Sequence, residues 1–219
     1  MMKFDDSKSV WHSFVTNEQM NVMAAGKRQH HPSRKDFYLF FEAIDRLRNK
    51  KLMWLDLGTV SMVDYNFLRE YFNFDYVGAD IARAIVANSK KCLTEDADNV
   101  YQWNIENPDI PEEVAAKKYD VISARHILNH CSYYEQPLLN LQKLLANDGF
   151  IYINLHLKCV DGNIDQLKTH NEWPMKGDVV GNFYSASKLR DFLEKHFNVL
   201  VWKMIEDNTI IIIEGRSRT

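Results

Sequence analysis

The stretch that most constrains the fold is residues 54–81, WLDLGTVSMVDYNFLREYFNFDYVGADI, which has the pattern of a strand, a turn, a helix and a second strand. The first apolar run is followed at once by Gly58, and the second, residues 76–79, ends at Asp80. Asp80 comes 22 residues after Gly58, close to the spacing of about 20 at which a strand-end carboxylate accepts hydrogen bonds from ribose hydroxyls. Gly58 and Asp80 therefore predict a nucleotide-type crevice.

Strand and helix patterns keep alternating along the rest of the chain, and the last two apolar runs are separated only by Glu206, Asp207 and Asn208. That alternation is typical of a doubly wound, mostly parallel α/β sheet, and the polar break predicts a C-terminal antiparallel hairpin. The aromatic residues from Phe37 to Phe41 recur at helical spacing and predict a packed helix. Strands are predicted at 51–57, 76–79, 99–103, 119–123, 150–155, 199–205 and 209–214, with helices at 67–72 and 81–92, from Pro137, and through Leu189 to His196.

Composition excludes several classes of partner. The 219 residues carry a net charge of −3, so we expect no general attraction to nucleic acid or an anionic membrane, and a small molecule is the expected partner. Cys92, Cys131 and Cys159 include no CxxC pair, which argues against a disulfide framework or a cysteine zinc site. With no leader pattern and no run of about 18 apolar residues, we expect a cytoplasmic protein.

Two stretches resemble the class I S-adenosylmethionine-dependent methyltransferases. Asp56, Gly58 and Asp80 match the family's first motif, in which an acidic residue precedes a glycine-rich turn and another acidic residue closes the next strand. Residues 119–154 are similar to the family's later strand, histidine-bearing turn, leucine-rich helix and strand. The second and third family glycines fall on Val60 and Met62, so either the loop has another shape or cofactor binding is weaker.

The resemblance implies a Rossmann-like, seven-stranded sheet and S-adenosylmethionine as the cofactor. At the position facing the adenine amine, Asn104 replaces the usual aspartate, and its amide oxygen is also an acceptor. The cofactor-binding residues implied by the resemblance are Asp56, Gly58, Thr59, Asp80, Ile81, Asn104, Ile105 and Arg125.

His126 and His130 are the candidate catalytic residues. Imidazole titrates near neutral pH, so either side chain could take a proton from an oxygen or nitrogen nucleophile, although a structural histidine is an equally good interpretation. Four residues apart, they would share one face if this segment were helical, but no third ligand is identifiable and we expect no metal site.

We expect one domain over residues 1–219, with four parts. Residues 1–48 form a helical extension, of which residues 1–35 either cover the cofactor or pack at the sheet edge, and residues 50–155 form the cofactor-binding half. Residues 156–184 are a substrate-covering insertion, and residues 185–219 are a C-terminal helix and hairpin. The aromatic candidates for a pocket wall are Tyr133, Tyr134, Trp173 and Tyr184.

The predicted function is methyl transfer to an oxygen or nitrogen atom of a small molecule. The alternative is a non-catalytic methyltransferase-like domain that binds a partner or another ligand, and Val60 and Met62 are the evidence for it. A nicotinamide dinucleotide enzyme fits less well because the G-x-G-x-x-G turn is missing. The sequence leaves the oligomeric state open.

Overall fold

A computed structural model describes residues 35–59, 65, 68–93, 96–155, 166–167, 181–182, 184–205 and 208–215. Short 3-10 helices lie at Asp45–Leu47, Ala97–Asn99 and Leu128–His130. The α-helices are α1 (Lys35–Ala43), α2 (Arg83–Cys92), α3 (Glu112–Ala115), α4 (Glu135–Leu144) and α5 (Ala186–His196). The strands are β1 (Lys51–Leu57), β2 (Asn73–Asp80), β3 (Val100–Gln102), β4 (Tyr119–Arg125), β5 (Leu145–Leu155), β6 (Gln166–Leu167), β7 (Gly181–Asn182), β8 (Asn198–Ile205) and β9 (Asn208–Glu214).

Seven strands form one sheet in the order β3-β2-β1-β4-β5-β9-β8. The first five are mutually parallel, while β9 runs antiparallel to both β5 and β8. The prediction of a seven-stranded, mostly parallel sheet with a C-terminal antiparallel hairpin is therefore confirmed. The two-residue strands β6 and β7 pair separately, inside the predicted insertion.

Both faces of the sheet are buried, which explains why its central strands are almost continuously apolar. In β1, Leu52 and Trp54 face the cluster that contains α1 and part of α2, whereas Leu55 and Leu57 face the cluster built with α3, α4 and α5. Since side chains alternate along a strand, Asp56 lies on the same face as Trp54. The acidic end of β1 therefore lies on the α1 side of the sheet.

Aromatic side chains fix α1 on this face. Phe40 is fully buried, stacks on Tyr152 with ring centroids 4.8 Å apart and meets Trp54 edge-on at 5.9 Å. Phe37 and Phe41 pack beside it. The predicted role of this aromatic stripe in packing is confirmed.

Several boundaries differ from the sequence prediction. The helix expected from Ile81 begins at Arg83, because the residues between β2 and α2 form a turn in which Asp80 accepts the N–H of Ala82. In the helix before β2, residues 65 and 68–69 are helical, while Tyr71 and Phe72 lie beyond its end. The strand expected from Phe150 begins at 145, because Leu145 already pairs with Tyr119 ahead of a shift in register.

Residues 1–34, Val60, Met62 and Trp173 lie outside the described residues. The predictions made for them, including the cover formed by residues 1–34 and the altered glycine loop, stay predictions. Among the helices that are described, none has the length and apolar character needed to cross a membrane.

We predict that Phe40→Ala lowers the free energy of unfolding by about 3–5 kcal/mol, because it removes a large side chain from a close-packed layer. Tyr38→Ala is the control on the same helix, since Tyr38 is 55% exposed, and should cost less than about 1 kcal/mol. Urea denaturation measures both. Equal losses would show that α1 is not part of the core.

Candidate functional site

The carboxyl ends of five neighbouring parallel strands meet at one edge of the sheet. Asp80 at the end of β2 is in register with Gln102 of β3, and Asp56 of β1 is in register with Ser123 of β4. At the end of β4, Arg125 is in register with Asn154 of β5. Open parallel sheets bind ligands at this edge, and most of the predicted site residues lie along it.

Gly58 makes the turn out of β1 possible. Its φ is 72°, in the left-handed region, and its N–H donates to the carbonyl of Ala79 at 2.9 Å. A Cβ at this position would lie 2.1 Å from Cδ1 of Ile127, a residue that follows β4. The turn and the segment after β4 are therefore in direct contact, and a larger residue at position 58 would have to displace the Ile127 side chain.

Thr59 anchors this turn through its side chain. The residue is 2% exposed, and its hydroxyl lies 3.0 Å from the hydroxyl of Ser89 on α2, which also donates to the Thr59 carbonyl. Because the Thr59 side chain is directed at α2, the part of this predicted cofactor-binding residue that is left to meet a ligand is its backbone.

Hydroxyl groups fix the carboxylate of Asp56. One oxygen accepts from Ser123 Oγ at 2.7 Å and the other from Tyr76 Oη at 3.1 Å. Ser123 in turn accepts from Nε1 of Trp54 at 3.0 Å. Asp56 is thus held rigidly in the wall of the crevice. Sequence reasoning missed Ser123, although a hydroxyl in the apolar run of β4 was a usable signal.

Asp80 is the most buried acid of the crevice, at 8% exposed. Its Oδ1 accepts the N–H of Ala82 at 2.8 Å. Burial raises its pKa to about 7; the Ala82 hydrogen bond opposes this rise, and the nearby charge of Asp56 adds to it. A ligand that donates hydroxyl hydrogen bonds to Asp80 would favour the charged carboxylate, so this residue suits a ribose.

The loop after β3 carries the next two predicted residues. Asn104 Oδ1 accepts the N–H of Glu106 at 3.0 Å, and an amide oxygen has capacity for a second donor. Ile105 is buried, and its carbonyl accepts from Nδ2 of Asn140, which also bonds the carbonyl of Asn107. A buried amide of α4 therefore sets the shape of the loop. Ile81, the last of the predicted residues on this side, is half-buried.

The turn after β4 brings together Arg125 and His126. The Arg125 guanidinium lies 4.5 Å above the ring of Phe37, so α1 orients it. His126 has a φ of 56°, the left-handed region that side chains rarely adopt, and its N–H donates to the Asn154 carbonyl at 2.7 Å. Strained backbone of this kind is often found at functional sites.

His126 and His130 do not share an α-helix. His126 lies in the turn, and His130 ends the 3-10 helix Leu128–His130, where its N–H donates to the carbonyl of Ile127. The helical one-face arrangement considered from their spacing is therefore not formed. In the part of the chain that the structure describes, no three His, Cys, Asp or Glu side chains are grouped for a metal ion.

The three described aromatic residues that were candidates for a pocket wall differ in their exposure and contacts. Tyr184 is 2% exposed and donates to the carbonyls of Leu128 and Cys131, so it supports the segment from beneath and the predicted pocket-wall role is wrong for it. Tyr134 packs edge-on against Tyr184, and Tyr133 is 61% exposed.

A shallow depression lined partly by Arg190 and Trp202 lies at the opposite edge of the sheet and contains none of the site residues.

A family model described as a methyltransferase domain matches residues 32–199, which include α1, the crevice and the turn after β4. The chain belongs to the class I S-adenosylmethionine-dependent methyltransferase family. Membership makes it a methyltransferase with S-adenosylmethionine as its cofactor. No curated protein matches its sequence.

Solved structures share the fold at low identity. An S-adenosylmethionine-dependent methyltransferase from Clostridium acetobutylicum ATCC 824 is 11% identical with a TM-score of 0.65, over 92% of this chain and 99% of that one. A chain from the complex of the Haloferax volcanii Trm112 methyltransferase activator with its proposed methyltransferase is 14% identical with a TM-score of 0.64, over 93% and 100%. The [4+2]-cyclase SpnF is 13% identical with a TM-score of 0.60, over 82% and 80%.

We predict that Asp80→Asn stabilises this methyltransferase at pH 8. Because the folded pKa of about 7 lies above the unfolded value, burying the Asp80 charge costs stability above pH 7, and the cost disappears as the pH falls toward 4. The melting temperature of the variant should exceed that of the wild type by more than about 4 °C at pH 8, and the difference should vanish near pH 4.

Asp75→Asn is the matched control, because Asp75 is exposed on the same strand and pairs with Lys51 at the surface. It should not raise the melting temperature at pH 8. A difference between wild type and Asp80→Asn that stays constant over pH 4–8 would contradict the buried-charge explanation.

Proposed function

We propose that this methyltransferase transfers a methyl group to an oxygen or nitrogen atom of a small molecule, with S-adenosylmethionine bound across the ends of β1 to β4. The observation that carries the proposal is Asp80, a buried carboxylate at the end of β2 whose Oδ1 accepts the backbone N–H of Ala82. Its distance along the chain from the glycine turn suits ribose recognition. The residues of the crevice therefore fit the cofactor.

Each part of the cofactor has a candidate partner. Asp80 would accept the ribose hydroxyls, and the loop at Asn104 and Ile105 would take the adenine, because β3 is the neighbour of β2. The methionine part would then extend past the backbone of the Gly58 turn toward the end of β4. There the guanidinium of Arg125 suits its carboxylate, since an arginine recognises a planar carboxylate with two hydrogen bonds.

The sulfonium of the bound cofactor supplies an activated methyl group, so the protein contributes alignment, exclusion of water and, for some acceptors, a base. Gly58 and Ile127 are in contact and close the floor of the crevice between β1 and β4. His130 is half-buried at the end of the next turn and is the candidate to take the acceptor's proton. His126, in its strained conformation, is the second candidate.

A small molecule remains the proposed acceptor because the net charge of −3 gives no general electrostatic attraction to a polynucleotide. Among the described residues, neither Cys92 nor Cys131 forms a disulfide bond, which supports the proposed cytoplasmic location. The non-catalytic alternative rested on Val60 and Met62, and none of the contacts described above favours it.

Calorimetry with S-adenosylhomocysteine tests the cofactor assignment. Asp80→Asn should weaken binding at pH 8 by about tenfold or more, because charge-assisted bonds to the ribose become neutral ones. Asp75→Asn should bind as the wild type does. A wild type without measurable affinity at millimolar ligand would contradict the proposal, and undiminished binding by Asp80→Asn would remove Asp80 from the ribose site.

Replacing the candidate base tests the acceptor side. His130→Ala should lower single-turnover methyl transfer by about 100-fold or more, with unchanged affinity for S-adenosylhomocysteine, the scale expected for a lost general base. Labelled cofactor offered with a panel of phenols and amines supplies the assay. If the rate is unchanged in His130→Ala and falls in His126→Gly, a change that leaves the left-handed backbone unstrained, His126 is the base.

A further inference from the structure

The side chain of Glu106 connects two parts of the site that are far apart in sequence. Its Oε1 accepts the N–H of Ser132 at 2.6 Å and that of Tyr133 at 3.4 Å. The first of these distances is typical of a strong, charge-assisted hydrogen bond. Glu106 itself belongs to the loop after β3, two residues beyond Asn104. One carboxylate therefore joins the adenine side of the crevice to the segment after β4.

Both joined parts are also held by hydrogen bonds that do not involve the Glu106 side chain. Asn140 holds the loop after β3 through two hydrogen bonds to its carbonyls, and Asn104 closes a local turn with the backbone N–H of Glu106. None of these bonds uses the Glu106 side chain. The segment after β4 is supported from below by Tyr184, through the carbonyls of Leu128 and Cys131. The Glu106 carboxylate accepts the N–H groups of Ser132 and Tyr133 and so fixes this segment on the side of the adenine loop.

We propose that Glu106 is a positioning residue that holds residues 127–133 in place against the adenine loop. The segment carries Ile127, which contacts the Gly58 turn, and His130. Loss of the Glu106 carboxylate would leave the adenine loop intact and release this segment. The inference rests on the proposed function, which supplies the ligand. In that proposal, the methionine end of the cofactor would reach the ends of β1 and β4.

A pair of ligands separates this role from a general structural one. S-adenosylhomocysteine carries the amino-acid end, whereas 5'-methylthioadenosine has the same adenosine without it. Glu106→Ala should weaken S-adenosylhomocysteine by about tenfold or more, the scale of a lost hydrogen bond to a charged group, and 5'-methylthioadenosine by less than about threefold. Glu106→Gln keeps an acceptor oxygen and should restore part of the difference.

Hydrogen exchange in the ligand-free protein measures the restraint directly. The amides of Ser132 and Tyr133 should exchange at least about tenfold faster in Glu106→Ala, while those of β5 keep their wild-type rates. Glu112→Ala is the control, because Glu112 is an exposed acid on the nearby α3, and it should change neither binding nor exchange.

Failure of the positioning role and failure of the proposed function would give different results. If the wild type binds S-adenosylhomocysteine and Glu106→Ala binds it equally well, or loses both ligands to the same extent, the positioning role is wrong. Unchanged exchange at Ser132 and Tyr133 also overturns it. A wild type that binds neither adenosyl compound contradicts the proposed function instead, and the exchange measurement then still decides whether Glu106 holds the segment.

Discussion

The crevice depends on two acidic side chains on one face of the sheet, of which Asp80 is buried and Asp56 is half-buried. They lie near the ends of neighbouring strands, and burial, with a smaller contribution from the charge of Asp56, raises the pKa of Asp80. Among the described residues, two hydroxyl groups donate to Asp56, whereas Asp80 accepts from the backbone N–H of Ala82. This difference in hydrogen-bond donors gives Asp56 and Asp80 different roles. A fully solvated or fully bonded Asp80 would gain little from a ribose, while a buried acid with spare acceptor capacity gains hydrogen bonds on binding, at the expense of stability in the free protein.

The fold was predictable because its signals are local. The sequence signal for β1 is an apolar run followed by a glycine, and that for β2 is an apolar run that ends at an acidic residue. The polar residues before β9 predict the hairpin. The long-range support of the site was not. Ser123 is 67 residues from Asp56, and Asn140 is 35 residues from Ile105. No periodicity in a single sequence shows which distant polar side chain will meet Asp56 or the loop after β3, so these partners were not predictable. The partner of Asp80 is local, because the N–H of Ala82 is two residues away.

The histidine pair shows the limit of spacing as a signal. Four residues place two side chains on one face only where the backbone is α-helical. Between His126 and His130 the chain instead passes through a left-handed residue and a single 3-10 turn. The cause is tertiary: the His126 N–H is held by the carbonyl of Asn154 on β5, and Ile127 must lie against Gly58. Packing between the turns of β1 and β4 therefore decides the local conformation.

Likeness of fold does not choose the reaction, because the [4+2]-cyclase SpnF has the same architecture. The choice depends on residues at the strand ends. Asp80, Asn104 and Gly58 lie on the side that we propose binds the adenosyl group, whereas His126, His130 and Tyr133 belong to the segment after β4. The Glu106 carboxylate bridges these two sides. Under the proposed function, divergence in the segment after β4 can therefore change the chemistry while the adenosyl side is kept, provided that Glu106 still joins the two.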